Sequence, residues 1–462
     1  MVQTQKKVII MKTAVKTVRA AIPVKTPAAE DTSLTRQMVT LMLPLIMGNI
    51  LQQLYNTVDA AVIGHFAGRE DFAAVGVAGT VMNLFLFAVA GACTGTSILF
   101  AQLYGAGAEK KLRQEHFISL CAGLVFSLVL SLGGFFLCTP LLGFLKTPSE
   151  LMAPAAGYLR IVLLSLPAAL LYNLCSALFR ATGNARVPML ILALSTGANL
   201  LLDLLMVAGL HMGAAGAALA TALSQILSAA LSLLFLFMRA PFLVPGKEDC
   251  RMDPVLLKKT LRLSFVTGFH QCALYLGKMM VQGAVNTGGT PLITAFTASM
   301  RIEGFANSFG DSGSAATSVL TAQNFGAGRR DRVRDCFKVS LRLLSAIGIG
   351  MGLVMAAFAS PLTVLITGSS DPLMLGEAVS YLRIVSLFYV FCFTGNTFAG
   401  YFDGKGRVLI PFLGAAGHIT LRVILSWLMI SRLRLPAVAI STGIGWVLVN
   451  LFWTLVLLRS SR

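Results

Sequence analysis

Apolar stretches long enough to cross a bilayer follow one another along this 462-residue chain, with few charges between them. That pattern restricts the fold more than any other feature, because a spanning helix needs about 20 mainly apolar residues. About twelve such stretches can be placed, near 38–67, 72–104, 117–145, 150–178, 187–209, 213–238, 258–287, 291–325, 338–366, 373–402, 408–430 and 436–458. The composition agrees, with 56% hydrophobic and 12% charged residues against about 25% charged in soluble proteins. The expected fold is therefore an all-α, multi-pass membrane protein.

The net charge of +18 could suggest a nucleic-acid partner, but its distribution argues against one. Most Lys and Arg fall in alternate loops and at both termini, whereas Arg69, Lys146, Arg432 and Arg434 lie in the opposite set. Positive residues stay on the cytoplasmic side, so both termini are expected there. The excess charge thus reports topology and no polyanion. Residues 1–36 read as a basic cytoplasmic tail near anionic headgroups. The eight cysteines are scattered without metal-ligand spacing and read as free thiols. His65, His211, His270 and His418 are unconnected in spacing. No metal site or cofactor is expected from either set.

The chain repeats itself. Ala101-Gln102-Leu103-Tyr104-Gly105-Ala106-Gly107 reappears as Ala322-Gln323-Asn324-Phe325-Gly326-Ala327-Gly328. Tyr158-Leu159-Arg160-Ile161-Val162 returns unchanged at Tyr381-Leu382-Arg383-Ile384-Val385, and Gly183 to Val187 is matched by Gly404 to Val408. The offset between copies is nearly the same for all three motifs. Two pseudo-symmetric six-helix bundles follow: an N-lobe at 37–238, a cytoplasmic linker at 239–257 and a C-lobe at 258–462. Parallel repeats of this kind suit alternating access, with a substrate path between the halves. The Gly-Ala-Gly turns themselves read as helix stops.

The first stretch carries the feature that points to function. Asn49, Gln52, Gln53, Asn56 and Asp59 recur at steps of three and four and share a helix face. A carboxylate inside a spanning helix costs several kcal/mol unless it faces protein or water, so Asp59 is a candidate functional group. Pro44, upstream on the same helix, is a candidate hinge. The fourth stretch supplies Tyr158, the fifth Asn199 and Asp203, and the sixth Thr221. At 1.5 Å per residue, Asp59, Tyr158, Asp203 and Thr221 all lie ~9–12 Å below the outer surface, with Asn199 one turn deeper. Two carboxylates in low dielectric cannot easily both ionise, so such a pair suits reversible proton uptake. Their oxygens equally suit Na⁺, a hard cation. The plainer alternative is that each acid only ties its own helix to a neighbour.

The C-terminal half differs in chemistry. Its seventh helix carries Lys278 and Gln282, its eighth Glu303 and Asp311, its tenth Tyr381 and Arg383, and its eleventh Arg422. These read as groups pairing inside the bundle, or as the lining of a C-lobe cavity.

The Pro-Gly-Asn, Asn-Thr-Val-Asp and Ile-Gly elements around Asp59, the Gln-Asn-Phe-Gly-Ala-Gly turn, and Asn199 with Asp203 resemble the multidrug and toxic compound extrusion (MATE) family over about residues 34–460. The resemblance implies a V-shaped twelve-helix antiporter in a bacterial plasma membrane. It would expel organic, cationic amphiphiles in exchange for H⁺ or Na⁺. It also implies an N-lobe ion site at Asp59, Asn199, Asp203, Tyr158 and Thr221, and a first-helix bend at Pro44. Family members with a C-lobe cation site carry acids on the seventh and tenth helices. Here the seventh has Lys278 and the tenth only Glu377 near its mouth, so coupling is expected at Asp59 and Asp203. The expected partners are a small-molecule substrate and the lipid bilayer, with the protein acting as a monomer. The nearest rival is a flippase for a lipid-linked saccharide or another anionic amphiphile, using Lys278, Arg383 and Arg422. A membrane scaffold would not need buried acids at matched depth. No converging nucleophile, base and oxyanion donors suggest an enzyme.

Overall fold

A computed structural model describes residues 33–369 and 371–460, apart from the side chains of Asn56, Ala60, Ala61 and Ser460. The basic tail up to residue 32 and the Asn56 position of the polar stripe lie outside that description. The first half comprises α1 (Leu34–Phe66), α2 (Gly68–Gly105), α3 (Glu109–Phe144), α4 (Ser149–Leu164), α5 (Leu166–Ala181), α6 (Arg186–Asp203) and α7 (Gly213–Arg239). The second comprises α8 (Pro254–Asn286), α9 (Thr290–Gly326), α10 (Arg330–Ala357), α11 (Ala359–Thr367), α12 (Pro372–Ser386), α13 (Tyr389–Gly404), α14 (Leu409–Leu433) and α15 (Leu435–Ser460).

Among the described residues, eight helices are long and apolar enough to cross a membrane. Two bent pairs, α4–α5 at 44° and α12–α13 at 53°, each add one span. Pro167 starts α5, where a missing backbone N–H costs nothing and the fixed φ favours a new helix. The remaining spans are α8 and α9, of 33 and 37 residues, which are long enough but too polar to qualify by hydropathy. Those two carry Lys278, Glu303 and Asp311, so their polarity belongs to what they face. Twelve spans in a two-lobe architecture result.

Caps fix where several helices begin. Asp253 accepts from Val255 N at 2.8 Å and Leu256 N at 3.3 Å, and Asp371 accepts from Met374 N at 3.0 Å. Each satisfies backbone donors that the first turn leaves unpaired. Arg434, one of the arginines against the charge rule, has a partner that accounts for it. Its Nε lies 2.7 Å from Glu377 Oε1, while Leu435 N donates to Oε2 of the same carboxylate at 3.1 Å.

The lobes meet chiefly along α2 with α8, and along α9 with both α2 and α1. A side chain added at Gly91 would meet the backbone of Thr267 and Gly268, and one at Gly95 the backbone of Leu263 and Ser264. At Gly76 and Gly79, toward the other end of α2, it would meet nothing within 4 Å. The two lobes therefore pack backbone to backbone around Gly91 and Gly95, while nearer the start of α2 they meet through side chains, Tyr275 Oη of α8 donating to Thr80 O at 3.2 Å.

The twin Gly-Ala-Gly motifs do more than stop helices. Gln102 Nε2 donates to Gly404 O at 2.9 Å, and Gln323 Nε2 donates to Ala181 O at 2.7 Å. Gly105 lies against the Gln323 backbone and Gly326 against the Gln102 backbone, so each copy seats on the other. Each glutamine thus bonds a carbonyl near the end of the bent fourth or tenth span in the opposite lobe. In the third repeated motif the glycines in left-handed conformation are Gly183 and Gly406. These two therefore correspond, which corrects the pairing of Gly183 with Gly404. These contacts close the seam between the lobes at the ends of α2 and α9.

The linker is a strap laid across the cytoplasmic end of α3. Arg113 Nε meets Asp249 Oδ2 at 2.7 Å, Gln114 Nε2 donates to Arg251 O at 3.2 Å, and His116 Nδ1 lies 3.0 Å from Leu243 O. The hydrogen bond from Arg113 holds the Asp249 carboxyl below the usual carboxylate range, against the opposing effect of burial. A depressed carboxyl stabilises the docked strap above its ordinary titration range, near pH 4, and loses that contribution as pH falls through the lowered value. Arg113→Ala should therefore weaken docking by about 1 kcal/mol at neutral pH, because the arginine is partly exposed. Hydrogen exchange at the amides of 242–252 should accelerate several-fold at pH 7, and the difference should shrink below pH 4.

Candidate functional site

Asp203 is the last residue of α6 and is followed at once by a π-helical turn, Leu204–Gly209. Such turns widen a helix locally and recur at functional sites. The side chain of Asp203 is fully buried, as are Asn199 one turn below and Tyr158 on α4. Asp59 on α1 reaches Asp203 closely enough for the two carboxyls to act on one another. Thr221 on α7 lies within hydrogen-bonding reach of the phenols of Tyr158 and Tyr55. Tyr158 Oη also points at Met82 Sδ, 3.8 Å away on α2. Five helices converge, and the residues expected at one depth form one cluster.

The polar atoms of this cluster are under-satisfied. Apart from the contact of the two acids with each other, Asp59 Oδ1, both oxygens of Asp203, and both amide atoms of Asn199 are buried without a hydrogen-bond partner among the described residues. An unpaired buried polar group costs about 1–3 kcal/mol, more for a charged one. Native sites tolerate several only where they bind something. Acceptor-rich oxygens from two carboxyls, an amide and a hydroxyl fit a proton shared by the acids or a hard cation such as Na⁺.

Tyr55 belongs to this site and is not among the residues that the sequence pattern singles out. It stands four residues before Asp59 on α1, hence on the same face. The signal is present, but tyrosine counts as apolar in a hydropathy pattern and so drops out of the polar stripe.

The second lobe holds a different cluster. Glu303 Oε1 accepts from Tyr381 Oη at 2.6 Å, and Oε2 lies 3.4 Å from Tyr389 Oη. Arg422 and Lys278 both act on Glu303 electrostatically, and Lys278 acts on Asp311 as well. Glu303, Tyr381 and Arg422 are buried, whereas Lys278 and Asp311 are exposed. Two bases thus stand against two acids. Arg383 lies two residues beyond Tyr381 on α12, on the exposed side, and takes no part in this cluster. Gln282 also stands apart, donating to Asn286 Oδ1 at 2.8 Å. Pro44 sits within the unbroken α1, and Asn49 just beyond it donates to Ser312 Oγ on α9 at 3.1 Å.

Comparison with known proteins agrees with the two-lobe fold. The family profile described as MatE matches residues 44–205 and again 267–428, two matches of equal length, one in each half of the chain. The chain is 26% identical over 409 residues to "Probable multidrug resistance protein YpnP" of Bacillus subtilis (strain 168), covering 88% of each chain. It is 25% identical over 402 residues to "Probable multidrug resistance protein NorM" of Thermotoga maritima, covering 84% of this chain and 83% of that one. A solved structure described as "Outward-facing conformation of a multidrug resistance MATE family transporter of the MOP superfamily" superposes with a TM-score of 0.87 at 23% identity, over 93% of this chain and 96% of the other. A Pyrococcus furiosus transporter of the MOP superfamily, reported with "reverse polarity of binding pocket", gives 0.87 at 22% identity over 95% and 99%.

Proposed function

Since the chain belongs to the MatE family, whose members are membrane transporters and not enzymes, we propose that it is a secondary active antiporter exporting cationic, amphiphilic organic compounds in exchange for H⁺ or Na⁺. The observation that carries this reading is the cluster of Asp59, Asp203 and Asn199, in which the two acids face each other and the buried polar atoms have no further partners among the described residues. The names of the Bacillus subtilis and Thermotoga maritima relatives support multidrug compounds as the substrate class.

The cycle begins with the cytoplasmic side closed, the arrangement held by Gln102 and Gln323. A cation from outside enters the N-lobe and is bound by Asp59 and Asp203, with Asn199 and Thr221 able to supply further oxygens and Tyr158 closing the wall. Neutralising the acid pair removes the repulsion that holds the site open and favours the inward-facing state. Substrate binds from the cytoplasm as the cation leaves. If both ligands bias the same two states, their coupling is reciprocal by thermodynamic necessity. Pro44 serves as the point at which α1 bends during the exchange.

In this reading the N-lobe at 37–238 and the C-lobe at 258–462 rock about the 239–257 linker. The protein works as a monomer in a bacterial plasma membrane and needs no cofactor beyond the coupling ion. An anionic-amphiphile flippase would need Lys278, Arg383 and Arg422 free in the cavity. Lys278 and Arg422 are offset by Glu303 and Asp311, which supports the cation exporter, although Arg383 stands exposed outside that cluster.

The test is transport of one fluorescent organic cation by proteoliposomes, with a pH gradient and a sodium gradient imposed separately. Stimulated export under one gradient alone identifies the ion. Equal rates with and without both gradients would rule out antiport.

A further inference from the structure

Another buried carboxyl, outside the clusters described above, sits at the seam between the lobes. Glu115, on the cytoplasmic part of α3, is wholly buried. Its Oε1 lies 2.7 Å from Ser119 Oγ on its own helix and 2.7 Å from Thr260 Oγ1 on α8, in the other lobe. Its Oε2 is buried without a partner among the described residues. Beside it lies an apolar seam built from both lobes, with Ile98 and Leu99 of α2, Ile118 of α3, Leu256 and Leu263 of α8, and Val408.

Burial without a counter-charge favours the neutral acid in this pocket, and the hydroxyls can serve that form. Thr260 Oγ1 lies 2.9 Å from Leu256 O as well as 2.7 Å from Glu115. A hydroxyl has one hydrogen. When Thr260 gives it to the Leu256 carbonyl, its lone pair faces Glu115 and accepts a hydrogen from a protonated carboxyl. Ser119 then donates to the same Glu115 oxygen. Oε2 is left as a neutral carbonyl oxygen, whose lack of a partner costs far less than that of a carboxylate oxygen.

Among the described residues, no cation acts on the carboxyl. The groups that do act on it are the Ser119 and Thr260 hydroxyls. On α3, Lys111 is exposed, Arg113 is engaged by Asp249, and the adjacent buried His116 turns its Nδ1 to Leu243 O. On α8, Lys258, Lys259 and Arg262 are exposed, on the faces away from Thr260. From α2, Gln102 is committed to Gly404 O. Asp249 on the linker keeps to Arg113.

We propose that Glu115 is a proton-binding site of the cytoplasmic gate, at which closure of the lobes takes up one proton from the cytoplasm and opening returns it. When the lobes part, Thr260 leaves with α8, water reaches the carboxyl, and the O–H bond breaks to give a solvated carboxylate and a cytoplasmic proton. The proton enters and leaves on the same side, so it is not the transported ion. It makes the balance between closed and open gates depend on cytoplasmic pH. The proposal goes beyond the antiport reading, requiring only that the gate opens.

Hydrogen exchange of the full chain in nanodiscs tests it, following the gate amides of 98–106 and 256–264 from pH 6 to 8 after correction for intrinsic rates. In the wild type, protection should fall with rising pH, by up to tenfold per unit for one linked proton. Glu115→Gln keeps the shape and stays neutral, so its protection should be independent of pH and exceed the wild type increasingly as pH rises. Thr260→Val should lower protection several-fold at pH 6, where the cross-lobe bond is fully formed. Parallel pH profiles in the wild type and Glu115→Gln would overturn the proton site. Unchanged protection in Thr260→Val would overturn the cross-lobe link. Neither result would touch the antiport reading, which gradient-driven export tests separately.

Discussion

Asp203→Asn is expected to lower gradient-driven export by roughly 5–150-fold, the range set by a coupling energy of about 1–3 kcal/mol. The substitution is nearly isosteric and removes one of two acids that act on each other in a buried site. Its effect on stability should run the other way. A carboxyl buried against a second acid, with no other partner among the described residues, is a burden on folding, and an amide in its place removes the charge. Thermal unfolding in detergent should thus be unchanged or shifted upward while transport falls. A group serving only to glue α6 to α1 would show the opposite pattern, with lost stability and retained coupling. Full ion-coupled export by this variant would sink the N-lobe as the coupling site.

Gly105→Ala is expected to shift the protein away from the cytoplasm-closed state by roughly 5–150-fold, from an overpacking penalty of about 1–3 kcal/mol. The new methyl group would meet the backbone carbonyl of Gln323, which cannot rotate away as a side chain would. The clash exists only while the two copies of the motif are seated on each other. It therefore weighs on one state of the cycle and not on folding at large. Gly79→Ala is the matched control on the same helix, because its added carbon would meet nothing within 4 Å. Hydrogen exchange at the amides of 98–106 reads the difference. Equal protection in Gly105→Ala and the wild type would show that the seam does not control closure.

Much of this architecture was legible because hydrophobic length and repeat spacing survive without side-chain detail. A fixed rise per residue was enough to bring Asp59, Tyr158, Asp203 and Thr221 to one level, since spanning helices share a common frame. What escaped depended on direction or on distant partners. The π-helical turn after Asp203 leaves no mark in composition. Tyr381 and Arg383 are two residues apart on one helix, so they point to different sides, and only the first joins Glu303. The Gly-Ala-Gly copies are visible as a repeat, yet that each one seats on the other is a contact between opposite halves of the chain. Glu115 lies in a charged loop pattern and looks solvated until Thr260 of the other lobe closes over it.

The first helix carries a consequence for how the chain is made. Met38, Leu41, Met42 and Ile46 of α1 pack into the core cluster of the second lobe, with Phe296, Leu344 and Tyr381, while Asp59 at the far end of the same helix faces α6 of the first. Met38 Sδ even lies 3.8 Å from Ser340 Oγ, a residue synthesised 302 positions later. During biogenesis the first segment to enter the bilayer must wait, half unpacked among lipids, for helices at the other end of the chain. Contacts so distant in sequence close slowly. The order of synthesis thus leaves the helix bearing Asp59 among the last to find all its neighbours.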